Sequence, residues 1–127
     1  MAWDIEYFQR ADGTAPALEF ENNIAKQMMG KLNSWADSIA ESEGTIGGGR
    51  FKKCHDLADL WEIRVRVGKD LGRELCTRDG NRLVLLHGFV KPNGTPSPAS
   101  EFKRAMTYLE EYRITGRVLE GEEGDQG

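Results

Sequence analysis

Hydrophobic and polar residues alternate along two stretches of the chain, and this period of two is typical of β-strands with one buried face. The first stretch is AWDIEYF at residues 2–8, and the second is LWEIRVRVG at residues 60–68. A third stretch, RLVLLHGFVKP at residues 82–92, is apolar on both faces over most of its length. Such a strand is expected in the interior of a sheet, with neighbours on both sides.

A further strand is predicted directly before residues 82–92, because Asp79 and Gly80 can form a tight hairpin turn. Both central residues of a type I′ turn need positive φ, which this pair of residue types adopts readily. The segment GRELCTRDGNRLVLLHGFV therefore indicates two antiparallel strands.

His87 is the one ionisable residue in the apolar part of the last strand. Alternation predicts that it shares a face with Leu83, Leu85 and Phe89. We therefore expect His87 to pack in or beside the core, with its ring nitrogens hydrogen-bonded.

The spacing of apolar residues between the first and second strands predicts helix. Pro16 is suited to a first helical position. From there on, apolar residues fall three or four positions apart, on one helical face: Phe20, Ile24, Met28, Leu32, Trp35 and Ile39. Asn22, Asn23 and Gly30 are poor residues for a helix interior, so one long helix and a helix pair broken near Asn23 are both compatible with the pattern.

A final helix is predicted after the last strand. Ser97 can cap it, Pro98 can occupy its first position, and Glu101 lies in the first turn, where the helix dipole favours an acid. The tail from residue 120 to residue 127 is acidic and rich in glycine, and we expect it to be disordered.

This order of elements predicts an α+β domain spanning residues 1–119. The expected architecture is an antiparallel sheet with helices packed on one face, an N-terminal helix pair first and a C-terminal helix last. A chain of 127 residues is long enough for one such core and too short for two ordinary domains.

The charge distribution is uneven along the chain. The net charge is −4, yet residues 50–91 hold ten basic and six acidic residues between two acidic flanks. A basic middle on an acidic protein favours a local anion-binding face, and ordinary surface charge on strands is the alternative.

Composition and the N-terminal sequence predict the cellular compartment of the protein. Hydrophobic residues make up 39% and charged residues 30%, and no apolar run is long enough to span a bilayer, so we expect no membrane partner. The N-terminus lacks the features of a secretory signal, which favours the cytoplasm. Cys54 and Cys76 lack CxxC spacing and are expected to be free thiols.

The segments LWEIRVRVG and GRELCTRDGNRLVLLHGFVKP, followed by TP and a closing helix, resemble the phage-derived HigB-like branch of the RelE/ParE toxin superfamily. The resemblance covers roughly residues 3–113 and is most specific over residues 60–91. It implies a small RelE-like toxin of a type II toxin-antitoxin system, neutralised by a cognate antitoxin that is commonly a helix-turn-helix protein. RelE- and HigB-like members cut mRNA on the ribosome without a metal, whereas ParE-like members inhibit DNA gyrase, and fold alone does not choose between them.

Metal-free RNA cleavage needs a base, an acid and cations that stabilise charge on the phosphate. Arg64 and Arg66 lie two apart on one predicted strand and so share a face, and Arg73 begins the next strand. The resemblance implies that these arginines line the RNA-binding concavity and that Lys91 lies near the scissile phosphate. The alternative is that they are solvated surface charges.

Further candidates lie in the glycine-rich loop before the second strand. Arg50, Lys52 and Lys53 are candidates for holding RNA through its phosphates. His55 is a candidate general acid or base, because its ordinary pKa lies close to neutral pH. A solvated loop histidine without a role is the alternative.

No cofactor is implied, and the two histidines and two cysteines are not spaced as a metal site. Two features depart from the family pattern: the pI of 5.2, and the absence of an aromatic platform for a base after Arg73. Glu74 would weaken phosphate binding unless it points away from the arginines, as alternation predicts. A non-catalytic binding protein on the same fold, either a gyrase inhibitor or a phage protein that engages a host partner, is therefore the competing hypothesis.

Overall fold

The computed structural model describes residues 2–46, 48–54 and 59–120. The helices are α1 (Pro16–Asn22), α2 (Lys26–Glu41) and α3 (Ala99–Thr115). The strands are β1 (Asp4–Tyr7), β2 (Phe51–Lys53), β3 (Trp61–Val67), β4 (Asp70–Asp79) and β5 (Arg82–Pro92). The predicted α+β class is confirmed. Within these ranges no helix combines the length and the apolar composition that crossing a membrane requires. The predicted disordered tail lies outside the described residues beyond Glu120.

The five strands form one sheet in the order β1-β5-β4-β3-β2. Strands β2 to β5 are antiparallel to their neighbours, but β1 runs parallel to β5, with Asp4 opposite Arg82 and Tyr7 opposite Leu85. The sheet is therefore mixed, and the expectation of a purely antiparallel sheet is wrong at β1. The prediction that β5 lies in the interior is confirmed, since β1 and β4 flank it.

Helices cover both faces of the sheet rather than one. Leu83 and Leu85 of β5 pack in the same cluster as Met28, Leu32 and Ile39 of α2. Their neighbours on β5 belong to a second cluster with residues of α3, which comprises Val84, Leu86, Phe89, Ala105, Leu109 and Tyr112 among others. Successive residues of a strand point to opposite faces, so α3 lies opposite the N-terminal helix pair. The physical reason is that β5 is apolar on both sides and needs cover on both.

The N-terminal helical region is a pair of helices. The chain leaves helical geometry at Asn23, whose side-chain Nδ2 donates to the carbonyl oxygen of Glu19 at 2.7 Å. This contact satisfies a carbonyl at the end of α1 and competes with continuation of the helix. Pro16 occupies the first turn of α1, as predicted. The predicted cap at Ser97 is wrong, because α3 begins at Ala99 and the Ser97 hydroxyl bonds to Arg73 instead.

The β4–β5 hairpin turns at Gly80 and Asn81, one residue later than predicted. Of the two, only Gly80 has a positive φ, at 61°. Positive φ at the first central residue alone is the pattern of a type II′ turn rather than the predicted type I′ turn.

A bulge interrupts the pairing of β4 with β5. Leu75 lies opposite His87, but the next residue, Cys76, lies opposite Leu85, so Leu86 is an extra residue on β5. An extra residue reverses the faces that the following side chains occupy. The alternation of β5 therefore changes sense at Leu86.

The bulge corrects one prediction about His87 and leaves another intact. His87 and Phe89 do not share a face with Leu83 and Leu85, since both contact α3 while the two leucines contact the helix pair. His87 is nonetheless buried and hydrogen-bonded as expected: its Nε2 lies 2.6 Å from Oε1 of Glu101.

Candidate functional site

A groove lies between α3 and the part of the sheet that α3 leaves open. Helix α3 packs mainly against β5 and β4, so β3 and β2 extend beyond its edge. The groove has a volume of about 870 Å³. Its sheet side is formed by Lys52, Lys53, Cys54, Glu62, Arg64 and Arg73, and its helix side by Ala99, Phe102, Lys103, Met106 and Thr107.

Two arginines lie opposite each other on the floor of this groove. Arg64 of β3 pairs with Arg73 of β4 in the strand register, and the two side chains therefore rise from the same face. Like charges in this arrangement repel each other. Glu62, which follows the same alternation on β3, supplies the opposite charge between them.

Arg73 is buried and has partners on several sides. Its Nε donates to Oε1 of Glu62 at 2.8 Å, its Nη2 forms an ion pair with the same oxygen, and its Nη1 donates to Ser97 Oγ. The guanidinium also lies 5.5 Å from the ring centre of Phe89 and 5.2 Å from that of Phe102. These contacts fix the guanidinium in place and neutralise much of its charge.

Arg64 is more available than Arg73. Its side chain is 34% exposed, and its Nε lies 3.9 Å from Oε2 of Glu62, which is longer than a hydrogen bond. Lys52, Lys53 and Lys103 are exposed at the rim of the groove. The groove therefore presents one partly exposed guanidinium and three ammonium groups, an arrangement that suits phosphate groups.

Two other predicted site residues lie one step further along the same face. Arg66 and Lys91 both align with Leu71 of β4, in the row next to that of Arg64 and Arg73. Arg66 is exposed, and Lys91 Nζ donates to the carbonyl oxygen of Thr95 at 2.5 Å. Neither side chain lines the groove, but both extend its positive charge along the sheet.

The basic residues before the sheet divide into two groups. Lys52 and Lys53 belong to β2, so their prediction as loop residues is wrong, and both line the groove. Arg50 lies elsewhere, with its guanidinium 4.7 Å from the ring centre of Trp35 on α2. The candidate acid or base His55 lies outside the described residues.

Neither cysteine is activated as a nucleophile. Cys54 lines the groove, but it is largely buried, and burial raises the pKa of its thiol to about 11. Burial also raises the pKa of Cys76 well above its ordinary value. Both thiols are free, as predicted. A thiol with a raised pKa is protonated at neutral pH and reacts slowly.

Sequence reasoning missed three residues that shape the groove. Glu62 reads as an ordinary polar position of an alternating strand, although its place beside Arg64 on the arginine face is a usable signal. Phe102 and Met106 belong to α3, where they are half-buried and form an apolar wall of the groove. The segment after Arg73 has no aromatic side chain, but α3 places the ring of Phe102 5.2 Å from the Arg73 guanidinium.

Glu74 points away from the arginines, as alternation predicts. Ile63 and Gly88 are its partners in the register, and Gly88 is covered by Phe20 of α1. The carboxyl group therefore lies on the helix-pair side of the sheet and does not weaken the groove's attraction for anions.

In the part of the chain that the structure describes, no three His, Cys, Asp or Glu side chains cluster so as to hold a metal ion. No family model matches the chain, and no curated protein matches it.

Proposed function

We propose that the chain is a RelE/HigB-like toxin that binds mRNA in the groove between α3 and the sheet and cleaves it on the ribosome without a metal. The observation that carries the proposal is the pair Arg64 and Arg73 on the floor of a groove whose rim holds three lysines. The resemblance over residues 60–91 supports the same reading, because its arginine positions coincide with this pair.

The two arginines of the groove have different roles in phosphate binding. Arg64 is the side chain with donors available for a phosphate, and its planar group can bind two oxygens at once. Arg73 is a positioning residue, since Glu62 and Ser97 already occupy its donors. Its fixed charge lies beside the position that the phosphate would take and would stabilise the additional negative charge of the transition state.

The helix side of the groove offers a surface for a nucleobase. Phe102 and Met106 are half-buried next to the arginines. Unpaired bases bind proteins largely through stacking on aromatic and other apolar side chains. In this proposal the RNA backbone follows the sheet, and one base lies against α3.

The proposed partners are the ribosome, mRNA and a cognate antitoxin, in the cytoplasm. The groove carries five cationic side chains against the one carboxylate of Glu62. An antitoxin segment that neutralises the site is expected to be acidic, because charge complementarity favours such a contact.

Induced expression in bacteria and a cell-free translation reaction test the proposal. The wild-type chain should arrest growth and cut mRNA in the reaction, and Arg64→Ala should lose both effects. Arg104 is exposed on α3 outside the groove, so Arg104→Ala is the matched control and should keep both. If the wild-type chain neither arrests growth nor cuts mRNA, the proposal fails.

One observation favours a second candidate, a non-catalytic binding protein. Glu62 already satisfies Arg73, and the helix wall is apolar, which also suits a protein segment with an acidic residue. A DNA supercoiling assay with gyrase separates the gyrase-inhibitor form of this candidate from the endonuclease. A stable protein complex without either activity would favour a phage protein that engages a host partner.

A further inference from the structure

Three carboxyl oxygens are buried between α1 and the sheet without a hydrogen-bond donor in the described part of the chain. They are Oε2 of Glu21 and both oxygens of Glu74. Glu74 is 0% exposed and Glu21 is 2% exposed. The remaining oxygen, Oε1 of Glu21, accepts a hydrogen bond from the hydroxyl of Tyr7 at 2.7 Å. Buried polar atoms are nearly always paired, so this cluster needs a physical explanation.

The charges around the cluster are of one sign. Carboxyl groups act on it from several elements: Glu21 from α1, Glu74 from β4, and Asp37 from α2, which acts on Tyr7 of β1. The thiol of Cys76 on β4 also faces Glu74, but burial keeps it protonated. No described lysine, arginine or histidine pairs with either glutamate.

The strands on both sides of Glu74 contribute no charge either. Ile63 of β3 and Gly88 of β5 are its register partners. Two ionised carboxylates in an apolar site without a counterion would be very costly, and such groups take up a proton instead. Burial and the neighbouring carboxyl group of Glu21 raise the pKa of Glu74 well above its ordinary value of 4.5.

We propose that Glu21 and Glu74 share a proton and act as a pH-sensitive latch that ties α1 to the sheet. The proton of one carboxyl group donates to the other, and the Tyr7 hydroxyl completes the chain of hydrogen bonds from β4 through α1 to β1. When the pair loses the proton to solvent, two negative charges face each other in a site without a cation. The latch weakens as a result.

Loss of the shared proton should act mainly on the packing of helix α1 against the sheet. This helix has seven residues, and its other close contacts to the sheet include the Phe20 ring over Gly88. An isolated helix of that length is not stable in water, so α1 depends on these contacts. Deprotonation of the pair should therefore release α1 before it unfolds the whole domain.

The raised pKa of Glu74 determines how the free energy of unfolding changes with pH. In the unfolded chain Glu74 loses its proton near pH 4.5, but in the folded chain the pair keeps one to a higher pH. Between those two values the folded state binds one proton more, so stability falls as pH rises. The equilibrium constant for unfolding should increase about tenfold per pH unit in that window.

Urea unfolding of the full chain between pH 5 and pH 9 tests the latch. Glu74→Gln keeps the shape of the protonated side chain and cannot ionise, so it should be more stable than the wild type at pH 8 and should lose most of this pH dependence. Glu41 is exposed on α2, and Glu41→Gln is the matched control with the wild-type dependence. An unchanged pH dependence in Glu74→Gln would overturn the proposal.

Carbon NMR of the glutamate carboxyl groups in the wild-type chain provides a test that does not depend on a variant. The Glu74 signal should show a protonated carboxyl group at pH values well above its ordinary titration range. Titration of the Glu74 signal in its ordinary acidic range would overturn the latch. So would stabilisation of the wild type, and not of Glu74→Gln, by added calcium chloride, because a cation would then fill the site instead of a proton.

Discussion

Arg64 and Arg73 face each other across β3 and β4 on the floor of the groove, yet their environments differ. Glu62, Ser97 and two aromatic rings surround Arg73, whereas Arg64 is one-third exposed. Two equivalent positions in the register thus have different roles: one arginine holds the site together, and the other is open to a ligand.

The first prediction separates these roles. Arg73→Ala should lower the free energy of unfolding by about 3–5 kcal/mol, because it removes the hydrogen-bonded cation that neutralises the buried Glu62. Arg64→Ala should change it by no more than about 0.5 kcal/mol and should weaken binding of single-stranded RNA, with a smaller salt dependence. Urea unfolding and fluorescence anisotropy measure the two effects. Equal losses of stability in both variants would contradict the assignment.

The second prediction concerns Glu62, the carboxylate that competes with a bound phosphate. Glu62→Gln keeps an oxygen that can accept from Arg73 but removes the negative charge. Affinity for single-stranded RNA should rise at least about fivefold, since a charge about 4 Å away contributes about 1 kcal/mol even at the dielectric constant of water. Anisotropy titrations at low salt measure this, with Glu110→Gln on the exposed surface of α3 as control. A lower affinity would show that Glu62 helps to hold the ligand.

The third prediction concerns the close approach of α1 to β5. A Cβ atom at Gly88 would lie 2.2 Å from the Phe20 ring, so Gly88→Ala should destabilise the protein by about 1–3 kcal/mol. Combining it with Phe20→Ala should cost less than the sum of the two single changes. Gly30 is exposed in α2 with open space around it, and Gly30→Ala should instead stabilise by about 0.5–1 kcal/mol. Thermal unfolding of Gly88→Ala, Phe20→Ala, the double variant and Gly30→Ala measures these changes in stability.

The fourth prediction concerns Cys54. Burial raises the pKa of its thiol to about 11, so alkylation by iodoacetamide should be slow at pH 8 and should accelerate about tenfold per pH unit up to that value. Mass spectrometry identifies the modified residue, and Cys54→Ser should leave Cys76 as the slower site. Labelling at pH 8 as fast as that of a free peptide thiol would show that Cys54 is exposed in solution.

The sequence predicts the elements of this fold better than it predicts their assembly. Periodicity identifies β3, β5 and the helices because each must bury an apolar face. It cannot reveal that β1 runs parallel to β5, since that pairing joins segments far apart in the chain. Periodicity also cannot reveal the bulge at Leu86, because one extra residue reverses a face without changing the composition of the strand.

In the candidate site, too, the sequence predicts individual residues better than the contacts between them. Shared alternation correctly places Arg64 on one face with Glu62, and the hairpin brings Arg73 beside it. The contributions of Ser97 and Phe102 depend on where α3 crosses the sheet, which local patterns do not encode. The resemblance points to the arginines, but the ion pair that distinguishes them is visible only in three dimensions.

The groove exists because one helix is narrower than the sheet that it covers. A helix with its side chains is about 10 Å across, and strands are spaced about 4.8 Å apart, so one helix can cover about two strands. Among the described residues, α3 is the only helix on its face of the five-stranded sheet, and β3 and β2 extend beyond it without cover. A second helix on this face would cover both strands and leave no room for a ligand.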